Sequence, residues 1–136
     1  MNDEALSADG IFRRMEMPGT SYASTLALGS AVTEGVAVIH TRGEVDVVTA
    51  AELQGALEET VARHQCTVLI VDLSDVNFLA SAGLAVLMRC SDNLSDRQCR
   101  FLVVANSPAT VRPLELTGLT EALEVYDSVE AALATV

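Results

Sequence analysis

Residues 66–73, CTVLIVDL, form a nearly unbroken apolar run dominated by β-branched residues. A strand with one wet face alternates apolar and polar residues. A run without alternation reads as a strand buried on both faces, a central strand with helices above and below it. CRFLVVA at 99–105 has the same character. Helical patterns separate these runs, which predicts a mostly parallel sheet joined by helical crossovers.

The rest of the chain fits around that sheet. STLALGSAV and VAVIHTRGEVDVV flank Thr33-Glu34-Gly35, a turn signal between two β-rich runs, so a hairpin supplies an antiparallel edge. In TAAELQGALEETVARH, Thr49 and Glu52 carry the spacing of a capping box, and Leu53, Leu57 and Val61 recur every four residues as one apolar stripe. Gly55 weakens that helix by about 1 kcal/mol relative to Ala, too little to abolish it.

After CTVLIVDL, residues 74–77 read as a loop, and a helix then runs from the Ser81 junction to about Leu94. Ser107 and Pro108 open a third helix, which Thr117-Gly118 ends and in which Pro113 predicts a kink. ALEVY is a short strand, and Asp127 with Glu130 caps a last helix. The expected order is β-β-α-β-α-β-α-β-α, a single α/β domain over residues 21–136. Residues 1–20 show no sustained periodicity and read as a poorly ordered tail.

Composition excludes several functions. The net charge of −11, with no lysine, disfavours nucleic-acid backbones and anionic membrane surfaces. No apolar run approaches the ~20 residues of a membrane span. The N-terminus starts acidic and lacks an apolar stretch of the signal-peptide kind, so a soluble cytoplasmic protein is expected. Cys66, Cys90 and Cys99 are odd in number with no C-x-x-C, which reads as free thiols, with a redox role as the minor alternative. There is no phosphate-binding glycine loop, no dinucleotide fingerprint and no metal spacing, so no cofactor is expected. Asp72, at the end of the central strand, reads as a local hydrogen-bond acceptor.

The stretch NFLASAGLAVLM, 77–88, leaves a strand and enters a helix through Ser81 among small residues. Three readings are open. Ser81 is a helix cap, worth about 1 kcal/mol over Ala. Or it is a nucleophile, as in the hydrolase elbow G-x-S-x-G; Gly83 fits that motif, but Leu79 replaces its first glycine and both histidines, His40 and His64, precede the serine. Or it is a switch, a hydroxyl whose phosphorylation brings charge onto a small apolar face formed by Ala80, Ala82, Ala85 and Val86.

RGEVDVVTAAEL, LIVDLSDVNFLASAGLAVLM, NSPATVRPLELTGL and YDSVEAAL, in that order and spacing, resemble the STAS-domain anti-sigma factor antagonists of bacteria. The resemblance covers roughly residues 24–135. It implies a STAS-like fold and a protein that is not an enzyme. Such a protein binds an anti-sigma factor, usually a serine kinase, and so frees a sigma factor. The kinase phosphorylates the motif serine and ends binding, and a phosphatase restores it. Ser81 matches the phosphoacceptor, Gly83 and Leu84 match the residues after it, and Asp46 and Asp72 match acidic positions beside the site. The chain departs from the family where Ala80 replaces a frequent Asp and Ala82 a usual Ser or Thr. A scaffold subunit of a larger signalling assembly, and an antagonist regulated through its cysteines, are the alternatives.

Overall fold

The computed structural model describes residues 25–136; the expected N-terminal tail lies outside the described residues. The elements are β1 (Leu26–Thr33), β2 (Val36–Val45), α1 (Thr49–His64), β3 (Val68–Leu79), α2 (Ser81–Asp96), β4 (Arg100–Val104), α3 (Pro108–Leu116), α4 (Leu119–Ala122), β5 (Glu124–Tyr126) and α5 (Val129–Leu133). The order expected from the sequence holds, with α4 as an additional single turn.

The strands lie in the order β1-β2-β3-β4-β5, with β1 and β2 antiparallel and every other pair parallel. Glu34 and Gly35 close the hairpin, both at positive φ (53° and 82°), the geometry of a two-residue turn that follows strand twist. Successive right-handed crossovers in one direction place α1, α2 and α3 on the same face. There Leu53, Leu57, Leu87 and Leu114 pack on Ile39, Leu69, Val71 and Val103. On the opposite face, Ala132 of α5 packs against Val38, Ile70, Leu102 and Val104.

Three local expectations need correction. Residues 74–77 are strand, not loop. β2 is long enough to pair with β3 as far as Val45↔Leu79, and two register shifts let β3 carry extra residues along it. The polar Ser74, Asp75 and Asn77 suggested a loop, and ladder pairing overrides that propensity.

The first helix is not capped by Thr49 with Glu52. Asp46 Oδ1 accepts from the N–H groups of Val48 and Thr49, both at 2.9 Å, and Thr49 Oγ1 accepts from Asp46 N–H at 2.9 Å. This is the same reciprocal capping box, headed three residues earlier. At the last helix, Ser128 rather than Asp127 caps, its Oγ accepting from Ala131 N–H at 2.9 Å. Pro113 lies within α3, which continues to Leu116.

Candidate functional site

β3 ends at Leu79, and Ala80 turns the chain in extended conformation, its N–H donating to Val45 O at 2.8 Å. Ala80 therefore occupies the capping position, and Ser81 is the first helical residue. Ser81 is exposed, and no hydrogen bond of its hydroxyl is seen among the described residues. The cap reading of Ser81 fails here, because Ala80 holds the capping position and no N–H among the described residues donates to the Ser81 hydroxyl. Gly83 N–H and Leu84 N–H both donate to Ala80 O, at 2.9 and 3.1 Å. The N–H groups of Ser81 and Ala82 precede them and have no acceptor within the helix. No acidic residue lies in this first turn. The amino end of α1, by contrast, is filled by the Asp46 carboxylate.

The small residues around Ser81 have separate causes. A Cβ on Gly83 would stand 2.6 Å from Val45 Cγ1 and 2.7 Å from Leu79 Cδ1, so glycine lets α2 close onto the sheet. Leu84 and Val86 are buried at 8% and 1% exposure. Gly83, Leu84 and Val86 thus anchor the helix from below and are not part of an exposed face, which corrects the expectation for Val86. Ala80, Ala82 and Ala85 are half-buried and do border the surface.

Three large apolar side chains that sequence reasoning did not single out are exposed at the same end of the sheet. Val47 is 77% exposed, Val48 70% and Phe78 50%. The pairs Glu44↔Phe78 and Val45↔Leu79 set the β2–α1 and β3–α2 junctions side by side. The signal was present in the sequence: Phe78 and Leu79 are adjacent in a strand, so they point to opposite faces and only one enters this core.

The two acidic candidates part company. Asp46 follows Val45, next to the Ala80 turn. The backbone hydrogen bond from Thr49 is the main reason its carboxyl lies below the ordinary range; burial opposes this, and the Thr49 side chain and Val48 N–H add to it. Asp72 is not beside Ser81, which corrects the expectation drawn from the resemblance. It lies seven residues before the end of β3, of order 20 Å along the strand. It is buried, with its Oδ2 2.6 Å from His40 Nδ1 and its Oδ1 accepting from Ser74 N–H at 3.0 Å and from the Ser74 hydroxyl. Burial pushes this carboxyl up, but the bonds from His40 and Ser74 outweigh it and leave the group below its ordinary value. Asn106 extends the network, donating to Ser74 Oγ at 3.2 Å and to Asp127 O at 3.1 Å. Asp72 is a structural residue that ties β2, β3 and two loops together.

Cys66 and Cys99 are buried and Cys90 is half-buried, and all three are free thiols. Burial pushes all three thiols up, Cys90 to about 12 with help from Cys99 and Glu58. A thiol held protonated is a weak nucleophile toward oxidants. Among the described residues, no group of His, Cys, Asp and Glu is placed to hold a metal ion. No described helix is long and apolar enough to cross a membrane.

Residues 29–132 match the STAS domain family. The anti-sigma-F factor antagonist RsfB of Mycobacterium tuberculosis is 40% identical over 99 residues, covering 73% of this chain and 80% of RsfB. The crystal structure of an anti-sigma factor antagonist from Mycobacterium paratuberculosis superposes with a TM-score of 0.77 at 37% identity, over 86% of this chain and 98% of that one. The phosphorylated form of the Bacillus cell fate determinant SpoIIAA, at 19% identity, shares the fold with a TM-score of 0.62 over 80% of this chain and 98% of its own. With the family match spanning most of the described residues and a 40% identical relative, this chain belongs to the STAS-domain anti-sigma factor antagonist family.

Proposed function

We propose that this chain is a cytoplasmic anti-sigma factor antagonist switched at Ser81. In the unmodified form, the surface formed by Val47, Val48, Phe78 and the first turn of α2 binds an anti-sigma factor that is also a serine kinase, and a sigma factor is released. The kinase transfers the terminal phosphoryl group of ATP to Ser81 Oγ and binding is lost; a phosphatase removes the phosphate. Neither nucleic acid, membrane nor cofactor takes part.

The observation that carries this reading is an exposed serine with an unbonded hydroxyl at an uncapped helix amino end. A phosphate of about −1.5 to −2 charges would meet the N–H groups of Ser81 and Ala82 and the positive end of the helix dipole, so the fold tolerates it. A partner seated on Val47, Val48 and Phe78 would instead have to bury that charge within an apolar contact, at a cost of several kcal/mol. Each 1.4 kcal/mol is tenfold in affinity. The same modification is therefore neutral to folding and prohibitive to binding.

Co-purification of the anti-sigma partner, followed by intact mass with and without ATP, tests the proposal. The expected result is a mass gain of one phosphate with ATP, release of the partner, and no gain in Ser81→Ala. Phosphate found on another residue, or a partner retained after phosphorylation, would refute it.

A further inference from the structure

We propose that the groove between α1 and α2 is a binding site for a small amphipathic carboxylic acid, whose carboxylate meets Arg97 and whose apolar body lies along the groove floor. The site is separate from Ser81, which opens the opposite end of α2, and does not rest on the switch reading. Both helices are crossovers between parallel strands, so they run side by side in the same direction. At the upper end of the groove they are tied together. Arg89 Nη2 donates to Gln54 Oε1 at 3.1 Å, and Gln54 Nε2 donates to Glu58 Oε2 at 3.0 Å. The groove runs from there toward the carboxyl ends, ~12 Å of helix from Gln54 to Ala62. Its volume of about 530 Å³ lies within the ~300–1,000 Å³ of small-molecule sites.

Helical spacing gives the groove an apolar floor and a polar rim. Leu57 and Val61 of α1 and Leu94 of α2 are core residues whose outer edges form the floor. Cys90, one turn before Leu94, continues it. Burial, with Cys99 and Glu58 beside it, keeps this thiol protonated and uncharged at neutral pH. Ala62, one turn after Glu58, adds only a methyl group to the α1 rim and leaves the lower end open. An uncharged floor of this kind favours an alkyl or aryl body.

The head group is set at that lower end. Arg89 and Glu58 are already engaged with Gln54, whereas no hydrogen bond or ion pair of the Arg97 guanidinium is seen among the described residues. Asn93, one turn earlier on the same rim, offers an amide donor. A planar carboxylate fits the fork of an arginine with two parallel hydrogen bonds. Asp96 also lines the groove and discriminates by charge. It repels a phosphate of about −1.5 to −2 charges more strongly than a singly charged carboxylate.

Titration of the full chain with decanoate below its micelle concentration, followed residue by residue by NMR, tests this. Saturable shifts are expected on residues 54–62 and 89–97, with decanol and decyl phosphate each binding at least about tenfold more weakly. Arg97→Gln removes the fork and should weaken decanoate at least about tenfold while leaving decanol unchanged. Ala62→Phe fills the open end and should abolish binding of both. Both positions are exposed, so without decanoate the urea midpoint of each variant should stay near that of the parent. An absence of saturable shifts, shifts centred on Val47, Val48 and Phe78 instead, decanol binding as tightly as decanoate, or decanoate binding undiminished in Arg97→Gln would overturn the inference. Decyl phosphate binding as tightly as decanoate would overturn the carboxylate assignment.

Discussion

Replacing Ser81 separates a switch from a cap by stability alone, before any partner is in hand. A capping serine would cost about 1 kcal/mol on replacement by Ala. At Ser81 the hydroxyl is exposed and no hydrogen bond to it is seen among the described residues, so Ser81→Ala removes no bond and opens no cavity. Ala is also the better helix former, by roughly half a kcal/mol in a helix interior. The expected change is within about 0.5 kcal/mol, or about 2 °C in Tm for a domain of this size. Ser81→Asp adds a carboxylate where two N–H groups lack helical acceptors. It should stabilise by about 0.3–1 kcal/mol at low salt and by less at high salt. Urea denaturation followed by circular dichroism reads both effects. Titration against the anti-sigma partner should then show Ser81→Ala binding like the parent and Ser81→Asp at least about tenfold weaker. A loss of 1 kcal/mol or more in Ser81→Ala, or equal binding by the two variants, would refute the reasoning.

Four further outcomes are expected. Asp72→Asn should lower the Tm and leave the rate of Ser81 phosphorylation unchanged, since it breaks a buried pair with His40; Asp72→Ala should cost about 3 kcal/mol or more. Because the folded-state pKa values of Asp72 and Asp46 are both depressed, their contribution to stability is present above the unfolded carboxylate value of about 4 and lost as pH falls through the folded values; a pH series of urea midpoints should show this loss, shallower in an Asp46→Ala, Asp72→Asn double variant. Gly83→Ala should destabilise by up to about 2 kcal/mol, overpacking against Val45 and Leu79 exceeding the gain in helix propensity, as calorimetry would register. In the native protein at neutral pH, Cys66, Cys90 and Cys99 should react with iodoacetamide far more slowly than after unfolding, as peptide mass analysis would show.

Much of the architecture was legible in the linear chain because it rests on short-range periodicity. The unalternating 66–73 and 99–105 runs required central strands, the stripe of Leu53, Leu57 and Val61 required a one-sided helix, and Glu34-Gly35 required a tight hairpin. The candidate serine was legible for the same reason, as a local junction of strand and helix. Other features depended on which residues meet across the sheet. Whether 74–77 are strand was decided by the length of β2 beside them, and whether Asp72 flanks Ser81 was decided by that longer strand. Gly83 reads as a motif residue in the chain, but its cause is the closeness of Val45 and Leu79. The exposure of Val47, Val48 and Phe78 follows from where two junctions come to lie side by side, and the role of Asp46 from a capping box formed one turn earlier than the pattern indicated. Periodicity is a property of neighbours along the chain, and it specifies elements and their buried faces. Register, capping partners and exposed patches are properties of neighbours in space, and only the assembled sheet brings those together.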